Sequence, residues 1–115
     1  FRPFAPAVLE EHYKEYFDTR LPSPYMSRIC KVKTDKVPGI THVDGTARIQ
    51  TVNKNDNEKF YKLLLEFWCI TGIPMLLNTS FNCQEPIVET PQQAIKTFRK
   101  TALDILVIND LVIKK

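Results

Sequence analysis

Apolar and polar residues alternate along this chain in several distinct rhythms, and each rhythm predicts an element. Residues 4–9 form an apolar run broken only by Pro6, which predicts a short buried strand. Residues 10–17 carry charge, with Tyr13 and Phe17 four apart, the spacing of one face of a short helix. Two prolines in 19–24 make that stretch a connection. Met26, Ile29 and Val32 suggest a strand over 25–32, and the charged stretch 31–38 reads as a solvent-exposed loop. In 41–52, Asp44-Gly45 is a turn signal between two extended pieces. The second piece sets Ala47, Ile49 and Thr51 against Arg48, Gln50 and Val52, a rough strand alternation.

The second half is more regular. Residues 53–57 are polar and turn-like, and Asn57 is placed to cap a helix beginning at residue 58. Phe60, Leu64, Phe67, Trp68 and Ile70 fall near helical spacing, predicting a helix over 58–71 that Gly72 stops. Their aromatic rings read as core rather than as a ligand platform. Residues 74–81 predict a buried strand that turns polar at its end. Thr90, Pro91 and Gln93 make a capping-box start for a helix reaching about residue 100. Two short strands, 103–108 and 111–113, flank Asn109-Asp110. Strands interleaved with helices give an α/β class, in finer terms an α+β mixed sheet with helices.

Composition narrows the function classes. The 115 residues suffice for one small domain, read here as 1–115, and exclude two full catalytic domains. A net charge of +3 argues against nucleic acid as a partner and permits an anionic small ligand. Three cysteines with no CxxC unit argue against a structural zinc site, and two histidines exclude a multi-histidine metal centre, so no metal site is expected. Unpaired thiols fit a reducing, cytoplasmic setting. No apolar run reaches 18 residues, so no membrane span is expected. Phe1 is not an initiator methionine, and the opening residues read as mid-domain sequence, so the chain is expected to be a piece of a longer protein.

Three places can carry chemistry. Asn78-Thr79-Ser80-Phe81-Asn82 comes after an apolar strand, where ligands of α/β folds gather and where hydroxyls, amides and turn N–H groups can cradle anionic oxygens. The competing reading is a polar strand end capping the next turn. His42, Asp44, Thr46 and Arg48 form the second place: Arg48 suits phosphate, and His42 and Asp44 would share a strand face by period two. Here the alternative is an exposed hairpin with ordinary surface charges. Arg2, beside Phe1 and Phe4, is the third, against the plainer reading of a surface arginine. Ser80 lacks a G-x-S-x-G elbow and reads poorly as a covalent nucleophile. Lys31, Lys33 and Lys36 read as a solvated loop.

Four segments together carry a family resemblance: Phe1-Arg2-Pro3-Phe4-Ala5-Pro6-Ala7-Val8-Leu9-Glu10, Thr41-His42-Val43-Asp44-Gly45-Thr46-Ala47-Arg48-Ile49-Gln50-Thr51-Val52, Leu76-Leu77-Asn78-Thr79-Ser80-Phe81-Asn82 and Glu85-Pro86-Ile87-Val88-Glu89-Thr90-Pro91. In this order they resemble the C-terminal domain of the nodulation and antibiotic O-carbamoyltransferases. The resemblance implies a truncated YrdC-like domain that forms carbamoyl adenylate from carbamoyl phosphate and ATP, with Mg²⁺ accompanying the nucleotide. It implies a separate actin-like N-terminal transferase domain as partner, holding the iron or zinc histidines and the acceptor site. By the same resemblance Arg2 and Arg48 are phosphate ligands, Ser80 and Asn82 match the Ser-x-Asn pair of YrdC-like nucleotide sites, and Thr79 and His42 are further binding residues. Arg48 and Ser80 are the residues expected to act in catalysis. Fixed arginines and hydrogen-bond donors suit adenylation, in which charge develops on phosphoryl oxygens.

Two departures stand out. The family's basic stretch upstream of the opening motif, which helps bind phosphate, is absent. The iron or zinc histidines and the acceptor site belong to the N-terminal domain, so full carbamoyl transfer is not expected from this piece alone. The family's glycine before Glu-Pro-Ile-Val is replaced by Cys83-Gln84-Glu85, which puts the geometry of that loop in question. A truncated sheet would also leave an edge open for homodimer pairing.

Overall fold

The computed structural model describes residues 4–115, so Arg2 lies outside the described residues. The chain divides into two compact units, the first ending at Thr79 and the second being Ser80–Lys115.

The first unit is built on a mixed five-stranded sheet. Its strands are β1 (Ala5–Leu9), β2 (Phe17–Asp18), β3 (Arg28–Val32), β4 (Thr46–Val52) and β5 (Met75–Asn78), in the spatial order β2-β3-β4-β1-β5. β1 runs parallel to β4 and antiparallel to β5. It is the most enclosed strand, with Ala7, Val8 and Leu9 all at 0% exposure, which explains why its sequence is an apolar run rather than an alternation. Pro6 is tolerated because β1 pairs with β5 there, while the pairing with β4 begins at Ala7.

Each face of the sheet has its own core. On one side Val8, Ile49, Ala47, Cys30 and Met75 meet Tyr13, Phe17, Val37 and Ile40. On the other, Ala7, Leu9 and Val52 receive Leu64 from the helix α2 (Glu58–Thr71), with Phe60, Tyr61, Leu65, Trp68 and Leu76 around them. The Asn57 side chain accepts the Phe60 N–H at 3.1 Å, the expected N-cap. Gly72 ends the helix at φ 76°, its N–H donating to Trp68 O at 2.7 Å. Leu63 and Ile70 point away from the sheet and are exposed, so Ile70 does not join the packed stripe that its spacing suggests.

Several elements differ from expectation. The helix expected over 10–17 is a 3₁₀ turn (Glu10–His12) and one α-helical turn, α1 (Tyr13–Tyr16), because Phe17 leaves it to enter β2. The strand expected over 25–32 starts only at Arg28: Met26 sits at φ 57°, a left-handed turn conformation. Ile29 is exposed, and Cys30 is the residue that faces the core. Lys31 and Val32 belong to β3 rather than to the loop beyond it. Residues 41–43 form no strand, and a 3₁₀ turn (Pro38–Ile40) leads into the turn at Asp44-Gly45. β5 stops at Asn78, three residues short of the expected end, and Leu77 is exposed.

The second unit holds α3 (Pro91–Lys100) and a hairpin of β6 (Ile105–Ile108) and β7 (Leu111–Lys114). Thr90 Oγ1 accepts the Gln93 N–H at 3.1 Å, and Gln93 Oε1 accepts the Glu89 N–H at 2.8 Å, a capping box reaching one residue further back than usual. Ala94, Thr97 and Phe98 are its buried face. Arg99 and Lys100 occupy its last turn, where positive charge complements the helix dipole. Asn109 takes φ 52° at the hairpin turn, a conformation asparagine tolerates better than most residues. The described residues form a mixed α/β fold with sheets of five and two strands and three α-helices. Among the described residues no helix is long and apolar enough to cross a membrane.

Candidate functional site

The alternation of β4 decides which of its side chains can meet a ligand. Ala47, Ile49 and Thr51 are buried on one face, and Arg48 and Gln50 lie on the other. Register carries that second face across the sheet. Gln50 pairs with Ala7, Ala7 with Leu76, and Ala5 with Asn78, so Gln50, Ala5, Ala7 and Asn78 share it with Arg48. Ile29, paired with Arg48, extends it to β3. α2 covers only the Leu9–Val52 end. The Arg48 end stays open: Arg48 is exposed and Gln50 and Asn78 are half-buried. Among the described residues Arg48 makes no ion pair.

Gln50 and Asn78 are joined over the strand that separates them. Asn78 Nδ2 donates to Gln50 Oε1 at 2.9 Å. The bond passes above β1, which is possible because the intervening side chains are Ala5 and Ala7. Gln50 Nε2 in turn points to Pro24 O at 3.5 Å, a long contact, and Met26 Sδ lies 3.8 Å from Asn78 Nδ2. On this face Arg48 and Gln50 thus stand on one side of β1 and Asn78 on the other. The Arg48–Gln50 alternation is legible in sequence. Their meeting with Asn78 is not, since it depends on β1 being inserted between β4 and β5.

His42 and Asp44 do come together, through a turn rather than a strand face. Gly45 takes φ 80°, and the His42 N–H donates to Thr46 O at 2.8 Å, closing the turn. Asp44 Oδ1 accepts from Thr46 Oγ1 at 2.6 Å and from the Thr46 N–H at 3.0 Å, and lies 3.3 Å from His42 Nδ1. The Thr46 hydroxyl is the main reason the Asp44 carboxyl is held below the usual carboxylate range, with the Thr46 N–H next and the His42 charge a smaller cause. Asp44 and Thr46 therefore spend their hydrogen-bonding capacity on the turn, whereas Arg48 does not.

Thr79 is exposed and closes the first unit, just past Asn78. Ser80 and Asn82 open the second unit and are also exposed. Asn82 Nδ2 donates to Glu85 O at 2.6 Å and Val88 N–H to Phe81 O at 3.1 Å, which fold 81–88 into a loop. Gln84, standing where a glycine was expected, sits at φ 63°, the region that favours glycine. The loop's Glu85–Glu89 stretch, with Gln93 and Lys96, lines a groove, and Lys96 also lines a second one with Ile95 and Arg99. The sequence signals Lys96 only through its place on the polar face of α3.

Comparison with known proteins turns this geometry into a family assignment. Residues 1–115 match the model of the carbamoyltransferase C-terminus across the whole chain. The chain belongs to that family. It is 46% identical over 122 residues to the nodulation protein NolNO of Sinorhizobium fredii, covering all of this chain and 18% of the relative. It is 43% identical over 124 residues to the nodulation protein NolO of Bradyrhizobium diazoefficiens, covering all of this chain and 22% of that protein. An uncharacterized protein of Methanocaldococcus jannaschii is 40% identical over 119 residues, again across all of this chain and 23% of its own length. The chain thus spans about a fifth of the length of the curated relatives it matches. The match is to the C-terminal part of the carbamoyltransferase family, and Arg48 lies within the matched region.

Proposed function

We propose that this carbamoyltransferase C-terminus handles carbamoyl phosphate and ATP for the larger enzyme, forming carbamoyl adenylate that a separate transferase domain delivers to an acceptor hydroxyl. The single observation that carries the reading is Arg48, an exposed cation without an ion-pair partner among the described residues, standing on the open half of a sheet face in a chain of this family. A guanidinium in that setting is available for bidentate contact with phosphate oxygens.

Atom balance sets what the site must do. Carbamoyl phosphate, ATP and water give carbamoyl adenylate, phosphate and diphosphate. Negative charge shifts among phosphoryl oxygens throughout, and fixed donors offset it without a covalent protein intermediate. Arg48 is assigned to a phosphate. Ser80, Asn82 and Thr79 are assigned to nucleotide oxygens as hydroxyl and amide donors, in the manner of a YrdC-like domain. His42 is a further donor at the turn, and Arg2 a second phosphate ligand. Mg²⁺ would enter with the nucleotide. The phosphates themselves would be its main ligands. Cys30, Cys69 and Cys83 are free thiols, which supports a reducing, cytoplasmic setting.

The test uses the full-length protein with ATP and carbamoyl phosphate, reading diphosphate release. Arg48→Ala is expected to lower release by about tenfold or more at subsaturating carbamoyl phosphate, with Arg48→Lys in between. Binding of ATP without diphosphate release by the wild type would leave a nucleotide-binding module, and no binding of either ligand a structural one. Unchanged turnover in Arg48→Ala would remove Arg48 from the site.

A further inference from the structure

We propose that this protein self-associates through the open edge of β7, two copies pairing antiparallel about a two-fold axis at Val112 so that Asp110 of each copy meets Lys114 of the other. The proposal rests on the second unit alone and is independent of the role assigned to Arg48.

The hairpin leaves one strand edge unmet. β6 and β7 make a two-stranded sheet, and among the described residues β7 pairs only with β6. Both strands are apolar on both faces, the pattern of strands with further neighbours rather than of an isolated hairpin. Leu111 is 65% exposed and Val112 61%, so neither is covered within the unit. Ile108 and Leu111 face each other across a two-residue turn, and the ladder bonds alternate from that pair. The Val112 N–H and C=O then fall on the open side of β7. Edge strands that stay single usually interrupt such a run with a charge or a proline. β7 carries Leu111-Val112-Ile113 without a break.

The sequence around β7 is complementary to itself in one register. A two-fold axis normal to the sheet keeps every residue on its own face, so each residue meets itself or one an even number of positions away. Centred on Val112, the pairing sets Val112 opposite itself, Leu111 opposite Ile113 and Asp110 opposite Lys114, the last two twice by symmetry. Moved one position toward the turn, it sets Asp110 against Val112. Moved the other way, it sets Lys114 against Val112 and Lys115 against Leu111. Of the three, only the Val112 register matches apolar with apolar and charge with opposite charge. Both charges are available for it: Asp110 and Lys114 are exposed and, among the described residues, make no ion pair. Lys115 is engaged already, its ammonium donating to Thr101 O and lying 5.0 Å from the centre of the Phe98 ring. β6 has no such pattern, since Asp104 is the one charge in 104–109 and a second β6 would bring no cation to it. Charge complementarity thus selects a second copy of β7 as the occupant of the edge.

The experiment uses the full-length protein and follows its association by sedimentation equilibrium. The wild type is expected to dimerise. Asp110→Lys and Lys114→Asp are each expected to weaken the dimer about tenfold or more, because each sets two like-charge pairs across the edge. Mixed one to one, the two variants are expected to form a heterodimer about as tight as the wild-type dimer, since the mixture restores both opposite-charge pairs. A wild type that stays monomeric at about 100 μM would overturn the proposal in favour of an edge covered by another segment of the full-length protein. Single variants that dimerise as tightly as the wild type would overturn it by placing the contact elsewhere. A mixture no tighter than its components would overturn it as well, since losses that do not cancel are not losses of this pairing. Should either charge variant fail to fold, Val112→Lys, which brings two cations together at the axis, decides: loss of the dimer supports the proposal, and a dimer of wild-type strength overturns it.

Discussion

Ser23 and Thr51 hold each other by two hydrogen bonds in the buried interior: the Ser23 N–H donates to Thr51 Oγ1 at 2.9 Å, and the Thr51 N–H donates to Ser23 O at 3.0 Å. Ser23 is 0% exposed and Thr51 3%, so neither group can turn to water instead. Ser23 Oγ also accepts the Ser27 N–H at 3.1 Å, which fixes the loop carrying Pro24 and Met26 beside Gln50 and Asn78. Thr51→Val keeps the side-chain shape and leaves the Ser23 N–H buried without its acceptor. The expected loss is about 1–3 kcal/mol, the cost of an unsatisfied buried donor. Urea unfolding checks it, and an unchanged midpoint would show that the side-chain half of the pair contributes nothing.

That pair also shows where reading from sequence stops. Both ends of α2 and the start of α3 are legible because Asn57, Gly72, Thr90 and Pro91 act on backbone groups within four residues of themselves. The inward face of β3 is not, because Ile29 outweighs Cys30 in hydrophobicity, although Val32, two residues on, packs with Cys30 against the same core. Pairing with Ala47 on β4, rather than intrinsic apolarity, sends Cys30 inside. Burial then raises the Cys30 thiol pKa, with the Asp18 charge a lesser cause. Ser23 and Thr51 are 28 residues apart, as are Gln50 and Asn78. Such contacts are set by strand order, and no local rhythm encodes them. Arg48 is legible as an outward cation, but its surroundings need the sheet.

Gln84 carries a conformational cost that a single change can remove. Its φ of 63° brings a Cβ into the crowding that L-residues avoid and glycine escapes. The surrounding loop is held independently by the Asn82–Glu85 hydrogen bond and by the Lys100–Glu85 ion pair at 2.9 Å. Gln84→Gly is therefore expected to relieve roughly 1–2 kcal/mol of local strain, partly offset by the greater freedom of glycine in the unfolded chain. Thermal unfolding should show a small net gain. A clear loss of stability would mean that the left-handed turn costs the protein nothing at this position.

Asp44 offers a pH-dependent readout of the turn that leads into β4. Its folded pKa is lowered, so its contribution to stability is fully present above the unfolded carboxylate value, about 3.9, and is lost as pH falls through the folded value. The turn should therefore be intact at neutral pH and loosen only in acid. The leading cause is the short hydrogen bond from Thr46 Oγ1, with charge attraction to His42 a lesser one. Two consequences separate these causes. Thr46→Val should move the Asp44 pKa back toward the ordinary value, though not fully, because the Thr46 N–H still donates at 3.0 Å. Added salt should shift it little, since screening acts on the His42 attraction and not on a hydrogen bond. Carboxyl-detected NMR titration of wild type and Thr46→Val, at low and high salt, measures both. If salt raised the Asp44 pKa as far as the substitution does, the His42 charge rather than the Thr46 hydroxyl would be what holds the turn.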